Sequence, residues 1–136
     1  MIKVIAGAKG TGKTARLVDD INEQATRETN NIVCIERGNR LDRLLKYRIR
    51  LIDVSEYFCN DYGQLLAFIC GVYARDYDLT HLYIDSIYKV AQSDLQSDFA
   101  DFLDKLEDFL KDKNITASII CSSDCDSLDE RIAKYC

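Results

Sequence analysis

The chain has 136 residues, a formal net charge of −5 and a sequence pI near 4.9. Its 47% hydrophobic and 30% charged residues are typical of a globular protein and exclude a disordered or fibrous chain. The acidic balance argues against a general binder of nucleic acids or anionic membranes, because phosphate groups attract basic surfaces. No apolar run approaches the roughly 20 residues that span a bilayer, and no signal peptide is recognisable. We therefore expect a cytoplasmic protein without a membrane partner.

Short apolar runs alternate with helical patterns along the chain. This alternation predicts an α/β fold of three layers, with a central, mainly parallel five-stranded sheet between helices. Strands are expected at residues 2–6, 32–36, 49–54, 81–85 and 115–122. Helices are expected from about residue 12, over about 39–47, near 62–75, over about 95–110 and from about 127. Residues 1–136 are expected to form a single minimal domain.

The last two predicted helices also have start signals. Ser93 and Gln96 have the spacing of a capping box, in which the two side chains bond each other's backbone N–H groups. Ser127 and Glu130 repeat that spacing before the final helix. The apolar stripe between residues 95 and 110 is interpreted as packing against the sheet, because it is too short for a coiled coil.

A glycine-rich segment follows the first strand. The pattern G-x-x-x-x-G-K-[ST] is matched at every fixed position by Gly7, Ala8, Lys9, Gly10, Thr11, Gly12, Lys13 and Thr14. Glycines let a backbone turn tightly and direct its N–H groups at an anion, and the following helix adds its positive dipole end. Lys13 is expected to reach the β- and γ-phosphates, and the Thr14 hydroxyl to bind Mg²⁺. The segment therefore predicts a binding site for ATP and Mg²⁺ on these eight residues.

The fourth predicted strand ends in a carboxylate. The run 81–85 is mostly apolar and closes with Asp85, which is the pattern of a Walker B strand. At the carboxyl edge of a parallel sheet, Asp85 would face the glycine-rich segment. Thr14 and Asp85 are therefore the predicted metal-binding residues. The alternative for Asp85 is a helix N-cap.

A glutamate at the end of a different strand makes the chain resemble a known family. Many P-loop ATPases have a catalytic glutamate directly after the Walker B aspartate, but this chain has Ser86 there. The strand 32–36 ends in Glu36 instead, and together with Asp85-Ser86 this arrangement resembles the RecA and KaiC group of P-loop ATPases over residues 2 to about 123. The resemblance implies that Glu36 is the general base, so Lys13, Glu36 and Asp85 are the predicted catalytic residues. The alternatives for Glu36 are a solvated carboxylate at the end of a strand and an ion-pair partner of the adjacent Arg37.

The same resemblance implies a strand order and a sensor. The strand 115–122 corresponds to the sensor strand and should lie between the strands of the glycine-rich segment and of Asp85, with the Glu36 strand next outward. Ser122 or Ser123 would then lie near the γ-phosphate. The chain is short, like small bacterial P-loop proteins, and the DNA-binding loops of recombinases have no counterpart in it. Recombinase or helicase activity is therefore not expected.

Six cations fall within fourteen residues of this acidic chain, at Arg37, Arg40, Arg43, Lys46, Arg48 and Arg50. They are interpreted as a solvated helix face plus an edge strand, with a protein-binding patch as the alternative. A nucleic-acid contact is less favoured, because aromatic residues are not interleaved with the cations apart from Tyr47.

The expected function is ATP binding with slow, Mg²⁺-dependent hydrolysis, used as a switch or in assembly. The alternatives are a non-hydrolysing nucleotide sensor with a protein partner and a small-molecule kinase; a GTPase is disfavoured because no N/T-K-x-D guanine motif is present. A homo-oligomer or protein partner is expected, because no arginine obviously reaches the γ-phosphate in cis. The candidates for an arginine or lysine supplied in trans are Arg37, Arg40, Arg43, Arg131 and Lys134.

Overall fold

The computed structural model describes residues 1–46 and 48–136. Within them the strands are β1 (Ile2–Ala6), β2 (Ile32–Glu36), β3 (Arg50–Asp53), β4 (His81–Ile84) and β5 (Thr116–Cys121). The helices are α1 (Lys13–Gln24), α2 (Tyr62–Arg75), α3 (Ile87–Val90), α4 (Gln96–Leu110) and α5 (Glu130–Ala133). None of these helices is long and apolar enough to cross a membrane.

The five strands form one parallel sheet in the order β1-β5-β4-β2-β3. The strand β5 thus separates β1 from β4, and β2 lies next outward, which confirms the predicted order. Because all strands are parallel, their carboxyl ends meet at one edge of the sheet. The glycine-rich segment, Glu36, Asp85 and Ser122 each follow or end one of these strands, so the fold brings them to the same edge.

Alternate strand residues enter two separate apolar cores. On one face of the sheet, α1 packs through Leu17 and Ile21 against a cluster that includes Tyr83 and Ile120. On the other face, α2, α3, α4 and α5 cover a larger cluster of strand residues, including Ile35, Leu82, Ile84 and Ile119. The apolar stripe of α4 belongs to that second core, as predicted. The sheet therefore lies between two layers of helices.

The helix predicted over residues 39–47 is not formed. Residues 40–44 are hydrogen-bonded turns, and Tyr47 lies outside the described residues. The segment is anchored by Leu41, which is fully buried, and by Leu45, which is partly buried against the same core. It is also tied at its start, where the Gly38 N–H donates to Asp53 at 2.8 Å. These local anchors replace the helical ladder.

Both predicted capping boxes are wrong. The side chain of Gln96 is used over long range: its Oε1 accepts from the Asp129 N–H at 2.7 Å, and its Nε2 donates to the Ser127 carbonyl at 3.2 Å. The final helix is capped by Asp129, which accepts from the Arg131 N–H. The short helix α3 was not predicted, since four residues are too few to give a periodic pattern.

Candidate functional site

The glycine-rich segment forms a tight loop that opens directly into α1. Gly10 and Gly12 adopt φ values of +78° and +81°, a left-handed backbone that glycine reaches without steric cost. The Thr11 hydroxyl donates to the Ala8 carbonyl at 2.8 Å and closes the turn. The helix begins at Lys13, immediately after the second of these glycines. The loop therefore presents free backbone N–H groups at the positive end of a helix, an arrangement that attracts anions.

Lys13 is a buried cation. The residue is only 7% exposed, and its Nζ donates to the Ala8 carbonyl at 2.7 Å. It makes no ion pair with any residue that the structure describes. Lysine is rarely buried without a negative partner, because the charge loses its hydration. An anion bound at the loop would supply that partner.

Thr14 and Asp85 meet at the site. The Thr14 hydroxyl donates to Asp85 Oδ1 at 3.2 Å, although 71 residues separate them in sequence. Asp85 is 2% exposed, and the Ser86 hydroxyl lies 3.4 Å from the same oxygen. The N-cap alternative for Asp85 is wrong, because Ser86 occupies that position before α3. A hydroxyl and a carboxylate in contact are the hard oxygen donors that Mg²⁺ prefers, so these residues fit a magnesium site.

Arg40 reaches the site from the turn segment. Its Nη2 lies 3.4 Å from Asp85 Oδ2, and its side chain remains 57% exposed. The contact brings an arginine of the same chain to Asp85. It could not be predicted from the sequence, because the position of Arg40 depends on the turns at residues 40–44, which replace the predicted helix.

A cavity of about 320 Å³ lies between the loop, Arg40 and the end of β5. Four cations line it in a protein of net charge −5: Lys9, Lys13, Arg40 and Lys89. The predicted loop residues Gly10, Gly12 and Thr14 line it as well, as does Ser122, whereas Gly7, Ala8 and Thr11 do not. The cavity is therefore strongly positive and suited to phosphate groups.

Glu36 is buried close to the same edge. It is 3% exposed, and its Oε2 accepts from the Leu41 N–H at 3.4 Å. Burial raises the pKa of Glu36 above its ordinary value, the Leu41 N–H opposes that rise, and the negative charges of Asp42, Asp85 and Asp53 add to it. Glu36 and Asp85 both line a cavity of about 40 Å³. One water needs at least about 10–15 Å³, so this cavity has room for a water.

The six cations of the basic stretch are dispersed. Arg37 donates to the carbonyls of Lys89 at 2.9 Å and Val90 at 3.0 Å, and also to that of Cys59, so it joins α3 to the chain before α2. Arg50, on the edge strand β3, pairs with Asp76. The interpretation as a helix face is therefore wrong, whereas the edge-strand part of it is confirmed.

Two of the candidates for a cation supplied in trans are also bound internally. Arg131 pairs with Asp101 at 2.7 Å and with Asp104 at 3.4 Å, and Lys134 lies 3.9 Å from Asp104. Arg37 is held by three carbonyl groups, as described above. Arg43 is exposed, and its side chain makes no hydrogen bond or ion pair with the residues that the structure describes.

The segment around α3 carries features that the sequence did not indicate. Ser86 and Gln92, which flank this helix, have φ values of 60° and 58° and are the non-glycine residues with positive φ in the described part of the chain. Such residues cost of order 1–3 kcal/mol each and cluster at functional sites. No sequence signal could have found them, since neither serine nor glutamine is typical of the left-handed region.

No model of a known protein family matches the chain, and no curated protein sequence matches it. What the site does is therefore inferred from its own geometry. That geometry brings Lys13, Thr14, Glu36, Asp85 and Ser122 to one edge of the sheet. Ser123 follows Ser122, and its hydroxyl is hydrogen-bonded to that of Tyr88 at 2.7 Å.

Proposed function

We propose that the protein is a P-loop ATPase that binds ATP with Mg²⁺ in the cavity of about 320 Å³. The observation that carries this proposal is Lys13, a buried cation without a carboxylate partner among the described residues, at the end of a glycine-rich loop. The triphosphate would lie on residues 7–14, and Lys13 would exchange the Ala8 carbonyl for the β- and γ-phosphates. The RecA-like order of the strands supports this assignment of the fold.

Thr14 and Asp85 would hold the metal ion. Mg²⁺ bound by them would neutralise negative charge on the β- and γ-phosphates. Asp85 is contacted by the Arg40 guanidinium on Oδ2 and by Thr14 on Oδ1. The exposed part of Arg40 leaves it free to turn from Asp85 towards the terminal phosphate, so the chain can supply its own arginine. Ser122, at the end of β5, would contact the same phosphate.

Hydrolysis is assigned to Glu36. A water in the cavity shared by Glu36 and Asp85 would give its proton to the Glu36 carboxylate as its oxygen attacks the γ-phosphorus and the bond to the β–γ bridging oxygen breaks. The raised pKa of Glu36 makes it a stronger base than an exposed glutamate. We expect slow turnover, because Arg40 is half exposed and is not fixed on the phosphate in advance, and because Arg37, which lines the cavity of Glu36 and Asp85, is held by backbone carbonyls.

Assembly through Arg43 is the second part of the proposal. This arginine and the neighbouring Leu44, which is 52% exposed, lie on the same turn segment as Arg40. A neighbouring subunit or protein partner on this segment would order Arg40 and raise turnover. Phosphate release per chain, measured over a wide concentration range together with mass by light scattering, tests this point. Turnover that is fast and independent of concentration in a monomer contradicts it.

The binding and hydrolysis proposal is tested by thermal melting and phosphate release. ATP with Mg²⁺ should raise the melting temperature, since a ligand that binds only the folded state stabilises it. Chelation of Mg²⁺ should abolish phosphate release. A melting temperature that ATP leaves unchanged in the presence of Mg²⁺ contradicts the proposal. Tight ATP binding without any phosphate release would favour the nucleotide sensor instead.

A further inference from the structure

A second, larger cavity adjoins the proposed phosphate site. It has a volume of about 620 Å³, within the roughly 300–1,000 Å³ of small-molecule sites. Lys9, Ser86, Lys89 and Ser122 line both cavities, so the two spaces meet along these side chains. The larger cavity extends from them along α3 to Asp94 and across to Ser123.

The two ends of α3 line this cavity through Ser86 and Gln92, the non-glycine residues with positive φ in the described chain. Ser86 is the N-cap residue of α3. Gln92 follows the C-cap residue Ala91, and its left-handed backbone lets the Ser93 N–H donate to the Tyr88 carbonyl at 3.2 Å and close the helix. These two residues therefore fix where α3 begins and ends beside the cavity.

The walls of the cavity are fixed by hydrogen bonds. The Tyr88 and Ser123 hydroxyls are 2.7 Å apart and join α3 to the chain after β5. The carbonyl of Lys89 accepts from the Gln92 side chain at 2.8 Å and from Arg37 at 2.9 Å. These contacts hold both ends of α3 in place. The cavity is thus formed in advance, as small-molecule sites usually are.

The lining indicates the chemistry of the ligand. Lys9 and Lys89 contribute two positive charges, and neither pairs with a carboxylate among the residues that the structure describes. Several hydroxyl groups, those of Ser86 and Ser122 among them, add neutral hydrogen-bonding partners. One carboxylate, Asp94, lies in the same lining. This combination favours a small molecule that has an anionic group and hydroxyl groups.

We propose that this cavity binds a small hydroxylated molecule carrying a phosphate or carboxylate group, next to the terminal phosphate of ATP. That this ligand lies next to ATP rests on the proposed function. Thr14 and Asp85 would bind the metal ion at the terminal phosphates, and Ser86, the residue after Asp85, lines the cavity. The nucleoside lies at the opposite end of the triphosphate and leaves this space to a second ligand.

The probes are glycerol 3-phosphate and glycerate, with glycerol as the uncharged control. Each is titrated into ¹⁵N-labelled protein that is saturated with Mg²⁺ and the β,γ-imido analogue of ATP. One or both anionic probes should shift the amide signals of Tyr88 and Ser123 saturably, and glycerol should not. A response to only one of them tells whether the ligand's anion is a phosphate or a carboxylate.

Charge variants test the same site. Asp94→Lys removes the carboxylate of the lining and should tighten binding of the responding probe by about tenfold, since a charge-assisted contact replaces a repulsion. Asp112→Lys, the same change at an exposed position outside the cavity, should leave the affinity unchanged. Lys89→Ala should weaken binding of the responding probe by about tenfold. Equal effects of Asp94→Lys and Asp112→Lys overturn the proposal.

Two further results separate this proposal from the proposed function. If the ATP analogue itself shifts Tyr88 and Ser123 and excludes both probes, the cavity belongs to the nucleoside and the second site is rejected. Probe shifts confined to residues 7–14 reject it as well. If the analogue does not bind, the ATPase proposal fails. Saturable probe shifts at Tyr88 and Ser123 in the protein alone would then still support the second site.

Discussion

Glu36→Gln should lower ATP turnover and at the same time raise stability at neutral pH. The substitution keeps the size of the side chain and its capacity to accept from the Leu41 N–H, and it removes only the charge. Loss of a general base typically costs about 10²–10⁴ in rate, which is about 3–5 kcal/mol of activation free energy. ATP affinity should stay close to that of the wild type, because Glu36 does not line the phosphate cavity.

The stability effect follows from burial. Glu36 is 3% exposed, and its hydrogen bond to the Leu41 N–H is long, at 3.4 Å. Its pKa is raised in the folded protein, chiefly by burial, so the folded state holds the proton more tightly than the unfolded chain. The stability that Glu36 contributes is therefore complete below its ordinary pKa of 4.5 and is lost as pH rises through the raised pKa. Removing this poorly solvated charge should raise the free energy of unfolding at pH 7 by about 1 kcal/mol.

Urea unfolding at pH 7 and at pH 4 measures the stability of wild type and Glu36→Gln, and phosphate release measures their turnover. The difference in stability should shrink at pH 4, where the wild-type carboxyl is protonated in both states. Glu28→Gln, which removes an exposed carboxylate, is the matched control and should change neither quantity. Turnover of Glu36→Gln equal to that of the wild type would refute Glu36 as the base. A loss of stability at pH 7 would refute the argument from burial.

Three further substitutions test other parts of the account. Asp85→Asn removes a metal ligand, so it should weaken ATP binding by about tenfold or more in the presence of Mg²⁺ and leave ATP binding in EDTA unchanged. Calorimetry that shows the same loss of ATP affinity in both conditions contradicts this. Tyr83→Phe removes the partly buried hydrogen bond to Asp20 at 2.6 Å and should lower the free energy of unfolding by about 1 kcal/mol, whereas Tyr77→Phe, at a 78% exposed position, should not. Gln92 has a left-handed backbone, which glycine adopts without strain, so Gln92→Gly should raise the free energy of unfolding, measured by urea unfolding, by up to about 1 kcal/mol. A loss of stability would show that the position is not strained.

The fold could be predicted where the sequence pattern is local and regular. Buried strands show as short β-branched runs, and α2 shows as an apolar helical pattern whose bounds agree with the structure. The turn segment after β2 could not be predicted, because its conformation is set by Leu41 entering the core and by Gly38 bonding to Asp53. The capping box predicted before α4 is wrong for a similar reason, since the Gln96 side chain bonds to Asp129 on a distant part of the chain.

Some residues of the candidate site could be predicted from the sequence, and others could not. The positions of Lys13 and Thr14 could be predicted because the pattern G-x-x-x-x-G-K-[ST] has fixed spacing, and that of Asp85 because a parallel sheet brings strand ends together. The contact between Arg40 and Asp85 was not found, since it depends on the turns between them and not on sequence spacing. The cavity beside α3 likewise has no motif, because it is built from chain reversals and single hydroxyl groups.

Calorimetric titration of ATP with Mg²⁺ into wild type, Lys13→Ala and Lys111→Ala decides whether residues 7–14 bind a nucleotide. Lys13 is a buried cation at the loop, whereas Lys111 is an exposed lysine at the far end of α4. We expect the wild type to bind ATP, Lys13→Ala to bind it about 10–100-fold more weakly through loss of a charge-assisted contact, and Lys111→Ala to bind it as the wild type does. Unchanged affinity in a Lys13→Ala protein that retains its circular dichroism spectrum, or no binding by the wild type, would contradict the assignment of this loop as a nucleotide site.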